Sequence, residues 1–106
     1  MSTDDKTILK IKDIAKSAIP SGSKAILYGS RARGDARNDS DWDILILLDK
    51  AKLEQKDYDK VSYPFVLLGC DLGTEINPIL YTKKEWESYN FTPFYENVNR
   101  DGISLI

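Results

Sequence analysis

The hydrophobic and polar positions change period several times along the chain, and those changes mark its elements. Ile8, Ile11, Ile14, Ala15 and Ala18 recur at steps of three and four residues, which is the spacing of one face of a helix. This predicts a helix from Asp4 to Ile19, with Ser2, Thr3, Asp4 and Asp5 suiting its start and Pro20-Ser21-Gly22 stopping it. A short apolar run from Ala25 to Tyr28 reads as a first strand. Asp41 to Leu48 reads as a second, and its unbroken apolar end from Ile44 to Leu48 predicts burial on both faces and a central place in the sheet. Between the two strands, Ser30 to Arg33 reads as a short helix. Gly34 to Ser40, dense in Gly, Asp and Asn, reads as a turn.

The second half is less regular. Leu53, Tyr58, Val61, Phe65 and Leu68 form an imperfect helical stripe over Lys52 to Leu68, with Pro64 expected to kink or interrupt it. Gly69-Cys70-Asp71-Leu72-Gly73, with a glycine at each end, is expected to be a loop. Glu75 to Tyr81 reads as a third strand, which Pro78 restricts to an edge position or a bulge. Thr82-Lys83-Lys84-Glu85 fits a capping box, so a helix starts at Lys83 and runs through Trp86. Thr92-Pro93 starts another, which Gly102 ends, and Ile103 to Ile106 adds a short strand. The alternation predicts an α/β (α+β) fold: a small mixed sheet of three to four strands with helices packed against it, in one domain over residues 1–106.

Composition narrows the function by exclusion. With 42% hydrophobic and 30% charged residues, the chain is ordinary for a water-soluble domain. The N-terminal MSTDDKTILK lacks a basic region followed by an apolar one, so no secretory signal is expected. A lone Cys70 rules out an intrachain disulfide and fits a reducing compartment, so a cytoplasmic protein is expected. A net charge of −2 argues against general nucleic-acid binding. Without histidine, zinc sites built on His and His-based triads are excluded.

The chemistry concentrates in residues 25–48. Asp41 and Asp43 are two apart, so on a strand both carboxylates leave one face while Trp42 and Ile44 point to the other. Two carboxylates so placed repel and call for a proton or a cation between them. In the absence of nitrogen or sulfur donors the fitting ion is a hard one such as Mg²⁺. Gly29-Ser30 ends the first strand with a backbone that a ligand can approach, and Arg31, Arg33 and Arg37 follow closely. A phosphate cradle, metal carboxylates and positive charge together suit phosphoryl or nucleotidyl transfer.

Ten residues separate Ser30 from Asp41, giving G-S-x10-D-x-D. This resembles the DNA polymerase beta-like nucleotidyltransferase superfamily. Within it, YGSRARGDARNDSDWDILILL is similar to the minimal nucleotidyltransferases, small prokaryotic proteins often paired with HEPN-domain partners. The resemblance implies a nucleotidyltransferase fold in which Asp41 and Asp43 bind two Mg²⁺ ions. Gly29, Ser30, Arg33 and Arg31 would hold the phosphates of a nucleoside triphosphate, taken as ATP. Family members carry an acidic residue, usually Asp, on a later strand. Glu75 stands in that place as third metal ligand and acceptor of the hydroxyl proton, with Asp71 as its rival. The implied activity is transfer of AMP to a hydroxyl of a partner protein, such as a HEPN-type toxin, with this chain as antitoxin. The acceptor site is then expected to be completed by a partner chain or a second copy. The alternative is a module that binds nucleotide or partner without turnover.

Overall fold

The structure, a computed structural model, describes residues 3–106. Met1 and Ser2 lie outside the described residues, and with them the Ser2 part of the expected helix start. Helix α1 (Thr3–Ala18) leads into β1 (Lys24–Tyr28), the short helix α2 (Ser30–Arg33) and β2 (Trp42–Leu48). A continuous helical run follows, made of α3 (Gln55–Asp57), a π turn (Tyr58–Ser62) and α4 (Tyr63–Leu72). Then come β3 (Ile76–Thr82), α5 (Lys83–Ser88), α6 (Pro93–Asp101) and the two-residue β4 (Ile103–Ser104).

The sheet has the order β3-β2-β1-β4. Strand β1 runs antiparallel to both β2 and β4, while β2 and β3 are parallel, so the sheet is mixed, as the pattern predicts. Its alternation sorts the side chains into two layers. One face carries Ala25, Leu27, Trp42, Ile44, Ile46 and Leu48, packed against Ile11 and Ala15 of α1 and Val61 and Phe65 of the long helical run. The other carries Leu45 and Leu47 beneath Trp86 of α5 and Val98 of α6. Ile44 to Leu48 are buried without exception, which is what a central strand covered on both faces requires.

Pro78 sits on β3 at the edge of the sheet, where its missing N–H breaks no ladder. The expected capping box is present: the Glu85 N–H donates to Thr82 Oγ1 at 3.0 Å and the Thr82 N–H to Glu85 Oε1 at 2.9 Å. Thr92 caps α6 in the same way, accepting from the Tyr95 N–H at 3.2 Å. Among the described residues no helix is long and apolar enough to cross a membrane.

Two expectations are corrected. Pro64 does not break the helix. It lies in the first turn of α4, directly after the π turn, whose wider winding absorbs the missing N–H and the bulk of the ring. The segment from Gly69 to Gly73 is not a loop: Gly69 to Leu72 are the last turn of α4. Gly69 is there for packing, since a Cβ would meet the Thr74 carbonyl oxygen at 2.8 Å. Gly73 alone is the turn residue, closing the helix at φ 69°.

Candidate functional site

The predicted residues gather where β1 ends and β2 begins. Strand β2 starts at Trp42, whose N–H donates to the Glu75 carbonyl at 2.9 Å, tying the entry of β2 to the entry of β3. Trp42 is buried in the α1 layer. Asp41 and Asp43, on either side of it, therefore emerge on the opposite face, both half-buried. The register sets their neighbours: Asp43 is paired with Tyr28 of β1 and with Asn77 of β3.

Gly29 closes this corner. Its backbone has φ 77° and ψ −160°, a conformation open to glycine and costly for other residues. A Cβ there would lie 2.6 Å from Asp43 Oδ2. The carboxylate thus occupies the space that a side chain at position 29 would fill, and the main chain of Gly29 is in direct contact with Asp43. Ser30 begins α2, whose first turn folds back on the Gly29 carbonyl, which accepts from the N–H groups of Ala32 and Arg33, both at 3.1 Å.

Negative charge is crowded here, and the acid–base behaviour shows it. Burial pushes the Asp43 carboxyl above the usual carboxylate range; a hydrogen bond from Asn77 pulls it back, and the Asp41 charge adds to the rise. The charge of Asp41, together with a hydrogen bond to it, raises Glu75. Glu75 is exposed, one residue ahead of β3, and reaches Asp41. A carboxyl–carboxylate hydrogen bond needs a proton between the two groups. Once both groups ionise, a cation is what can replace it. Burial, Asp43 and Tyr81 push the Tyr28 phenol up to about 12, so it stays neutral beside the carboxylates.

The arginines divide. Arg31 lies with its guanidinium carbon 4.5 Å from the centre of the Trp42 ring. It donates to the Ser40 carbonyl at 2.9 and 3.2 Å and to the Asn38 carbonyl at 3.2 Å. Its head is therefore on the Trp42 side of the sheet, pinning the loop that delivers Asp41. Arg33 borders a cavity of about 220 Å³ on the carboxylate face, whose wall includes Tyr28, Gly29 and Phe94. It pairs at 3.2 Å with Asp35, and both side chains are well exposed and so weakly held. Asp71 is exposed in the last turn of α4. A second concavity, about 380 Å³, runs past Cys70, Glu75 and Asn77 at the sheet edge. The carboxylates lie between these two hollows by register.

Among the described residues no three acidic or cysteine side chains converge closely enough to enclose a metal ion. The donor set is all oxygen and carries a like-charge strain, which fits a hard divalent cation held with the help of a ligand's phosphates. Sequence reasoning missed Asn77 and Tyr28 as neighbours of the site. The alternation of β3 puts Asn77 on the face of Glu75, but only the pairing of strands shows that it meets Asp43.

A family model described as nucleotidyltransferase domain matches residues 8–92. No curated protein matches significantly. Among solved structures, one titled as a toxin–antitoxin with AMP-PNP is similar at 19% identity, with a TM-score of 0.63 over 93% of this chain and 72% of that one. A structure titled as a putative nucleotidyltransferase from Sulfolobus solfataricus is similar at 19% identity, with a TM-score of 0.56 over 98% of this chain and 86% of that one. At these identities the two structures speak for the fold.

Proposed function

The chain belongs to the nucleotidyltransferase domain family of the polymerase beta-like superfamily, and on that premise we propose that it transfers AMP from ATP to a hydroxyl of a partner protein. The observation that carries this reading is the corner formed by Asp41, Asp43 and the Gly29 backbone, where a Cβ would meet the Asp43 carboxylate. Asp41 and Asp43, with Glu75 hydrogen-bonded to Asp41, are the residues that would hold Mg²⁺. When bound, it would offset the charge of the triphosphate and of the attacking oxygen.

The chain's own groups have separate tasks. The Gly29 backbone N–H and the Ser30 hydroxyl receive the β- and γ-phosphates as hydrogen-bond donors. Arg33, on the same face, offsets charge that develops on the leaving pyrophosphate. Arg31 acts from the other side by holding the Asn38–Ser40 loop, and with it the start of β2. The acceptor hydroxyl enters from the Glu75 side. Its oxygen forms a bond to the α-phosphorus, the bond from the α-phosphorus to the bridging oxygen breaks, and pyrophosphate leaves with that electron pair. The hydroxyl proton passes to the Glu75 carboxylate.

The similar structure titled as a toxin–antitoxin with AMP-PNP supports a partner protein and an adenine nucleotide for this chain. We take a HEPN-type toxin as that partner and as the acceptor, with this chain as its antitoxin. A second reading, a binding module without turnover, is favoured by one observation: no three carboxylates among the described residues close around an ion. The two separate in a single experiment. ATP labelled at the α-phosphate is incubated with the chain, Mg²⁺ and a co-expressed HEPN-type partner. Label on a partner hydroxyl, lost with Asp41→Asn and Asp43→Asn, is the expected result. Binding of Mg-ATP with no label moved overturns transfer and leaves the module.

A further inference from the structure

We propose that Asn77 is the positioning residue of the carboxylate pair: from the neighbouring strand its side-chain amide donates to Asp41 and faces Asp43, and so takes the role of the cation in the metal-free protein. The inference rests on the reading that Asp41 and Asp43 hold a divalent ion. Asn77 Nδ2 donates to Asp41 Oδ2 at 3.1 Å. Asn77 also faces Asp43 directly across the parallel β2–β3 pair, and its amide holds the Asp43 carboxyl lower than burial alone would. One planar NH₂ group has two hydrogens, so it can serve both carboxylates, one each.

The chemistry of this position is selective. A carboxylate at residue 77 would set a third negative charge opposite Asp43, beside Glu75 and Asp41. A hydrocarbon side chain would leave both aspartates half-buried without a donor between them. The amide is neutral and donating, so it relieves the repulsion without adding charge. It also has a cost for the metal. A cation that arrives must displace a hydrogen bond already made, so the metal-free carboxylate pair is stabilised relative to the loaded one. Asn77 thereby weakens binding of a bare ion and reserves the site for an ion that brings phosphate oxygens with it. Its amide can then turn its oxygen to the ion or release it.

The measurement is the response to metal of each variant against its own empty state, so a general loss of stability does not enter. Melting temperatures and calorimetric binding of Mn²⁺ alone are recorded for wild type, Asn77→Leu and Asn77→Asp. Without metal, stability is expected to fall in the order Asn, Leu, Asp. The Mn²⁺-induced rise is expected in the reverse order, with Asn77→Asp binding Mn²⁺ about tenfold or more tighter than wild type. Should Asn77→Leu fail to fold, Asn77→Ala, which removes the amide without adding a ligand, carries the comparison. Equal Mn²⁺ responses in all variants would mean that Asn77 only packs, and absence of any response would equally overturn the proposal. A parallel titration with Mg-ATP tests the transferase reading separately. Tight Mg-ATP binding with equal Mn²⁺ responses removes the role of Asn77 alone; the ordered Mn²⁺ responses without Mg-ATP binding remove nucleotide transfer alone.

Discussion

Replacing Gly29 by alanine tests the corner on which the site reading stands, and Gly34→Ala supplies the control. Both glycines have positive φ, 77° at Gly29 and 83° at Gly34. They differ in two respects. Gly34 has ψ 12°, in the left-handed helical region, whereas ψ at Gly29 is −160°. A Cβ at Gly34 meets nothing within 4 Å, whereas one at Gly29 lies 2.6 Å from Asp43 Oδ2. Gly34→Ala should therefore cost only the strain of a left-handed alanine, about 1–2 kcal/mol. Gly29→Ala carries the strain of a region essentially reserved for glycine, of order 1–3 kcal/mol, and must also push the Asp43 carboxylate aside. At about 4–8 °C per kcal/mol for a small domain, both variants should melt several degrees or more below wild type, Gly29→Ala lower.

Stability alone does not separate them; ligand binding does. Gly34→Ala leaves Asp41 and Asp43 where they are, so its affinity for Mg-ATP should stay within about twofold of wild type. In Gly29→Ala the carboxylate cannot keep its place, because Tyr28 and Asn77 flank it in register. A displaced charged ligand should weaken Mg-ATP by about tenfold or more, roughly 1.4 kcal/mol. Thermal melts give the first quantity and isothermal calorimetry below both melting temperatures gives the second. Equal Mg-ATP affinity in the two variants would refute the reasoning, since the contact between residue 29 and Asp43 would then be irrelevant to the ligand.

Three further outcomes are expected. Because burial and Asp41 raise the Asp43 carboxyl, the folded state holds that proton more tightly than the unfolded chain. Ionised Asp43 thus costs stability at neutral pH, so without divalent ions Asp43→Asn should raise the urea midpoint at pH 7 and lose that advantage as pH falls into the carboxylate range. Asp57 has the opposite sign: Lys50 Nζ at 2.9 Å and the Glu54 N–H at 2.7 Å hold it below the usual range. Asp57→Ala should cost about 1–2 kcal/mol above pH 5, a difference that fades as pH drops below about 4 and wild-type Asp57 takes up its proton. Glu75→Gln should slow transfer of labelled AMP to the partner at least tenfold, more than it weakens Mg-ATP binding, because its second task lies at the acceptor proton; an unaffected rate would remove Glu75 from the reaction.

Much of the fold was legible because each signal was local. The stripe of α1, the apolar run of β2, the Thr82–Glu85 capping box and Thr92 ahead of Pro93 act within a few residues of themselves, and each element forms where its signal stands. The misread stretch, Gly69 to Leu72, shows what local signals lack. A glycine in sequence can mean a turn or a close approach, and here only Gly73 makes the turn. Gly69 makes the approach, to a carbonyl that arrives from the other side of that turn. Pro64 misleads for a similar reason, since the π turn that accommodates it has no signature in residue type.

The same limit decides how the site could be read. Alternation within one strand puts Asp41 and Asp43 on a common face, and that much follows from spacing alone. Which groups confront them depends on register between strands, which the residues of one strand do not encode. Register pairs Asp43 with Asn77 and Tyr28, and it brings Glu75 to Asp41 through the Trp42 N–H bond to the Glu75 carbonyl. The arginines are separated by helical winding instead: counting from the Gly-Ser turn, Arg31 and Arg33 look equivalent. Two positions on a four-residue helix differ by about 200°, so one guanidinium covers Trp42 and the other borders the cavity beside Gly29. A phosphate bound at Gly29 is therefore within the domain of Arg33, and Arg31 influences it only through the loop it holds. Arg31→Ala should then reduce stability and Mg-ATP affinity together, whereas Arg33→Ala should reduce affinity at unchanged stability.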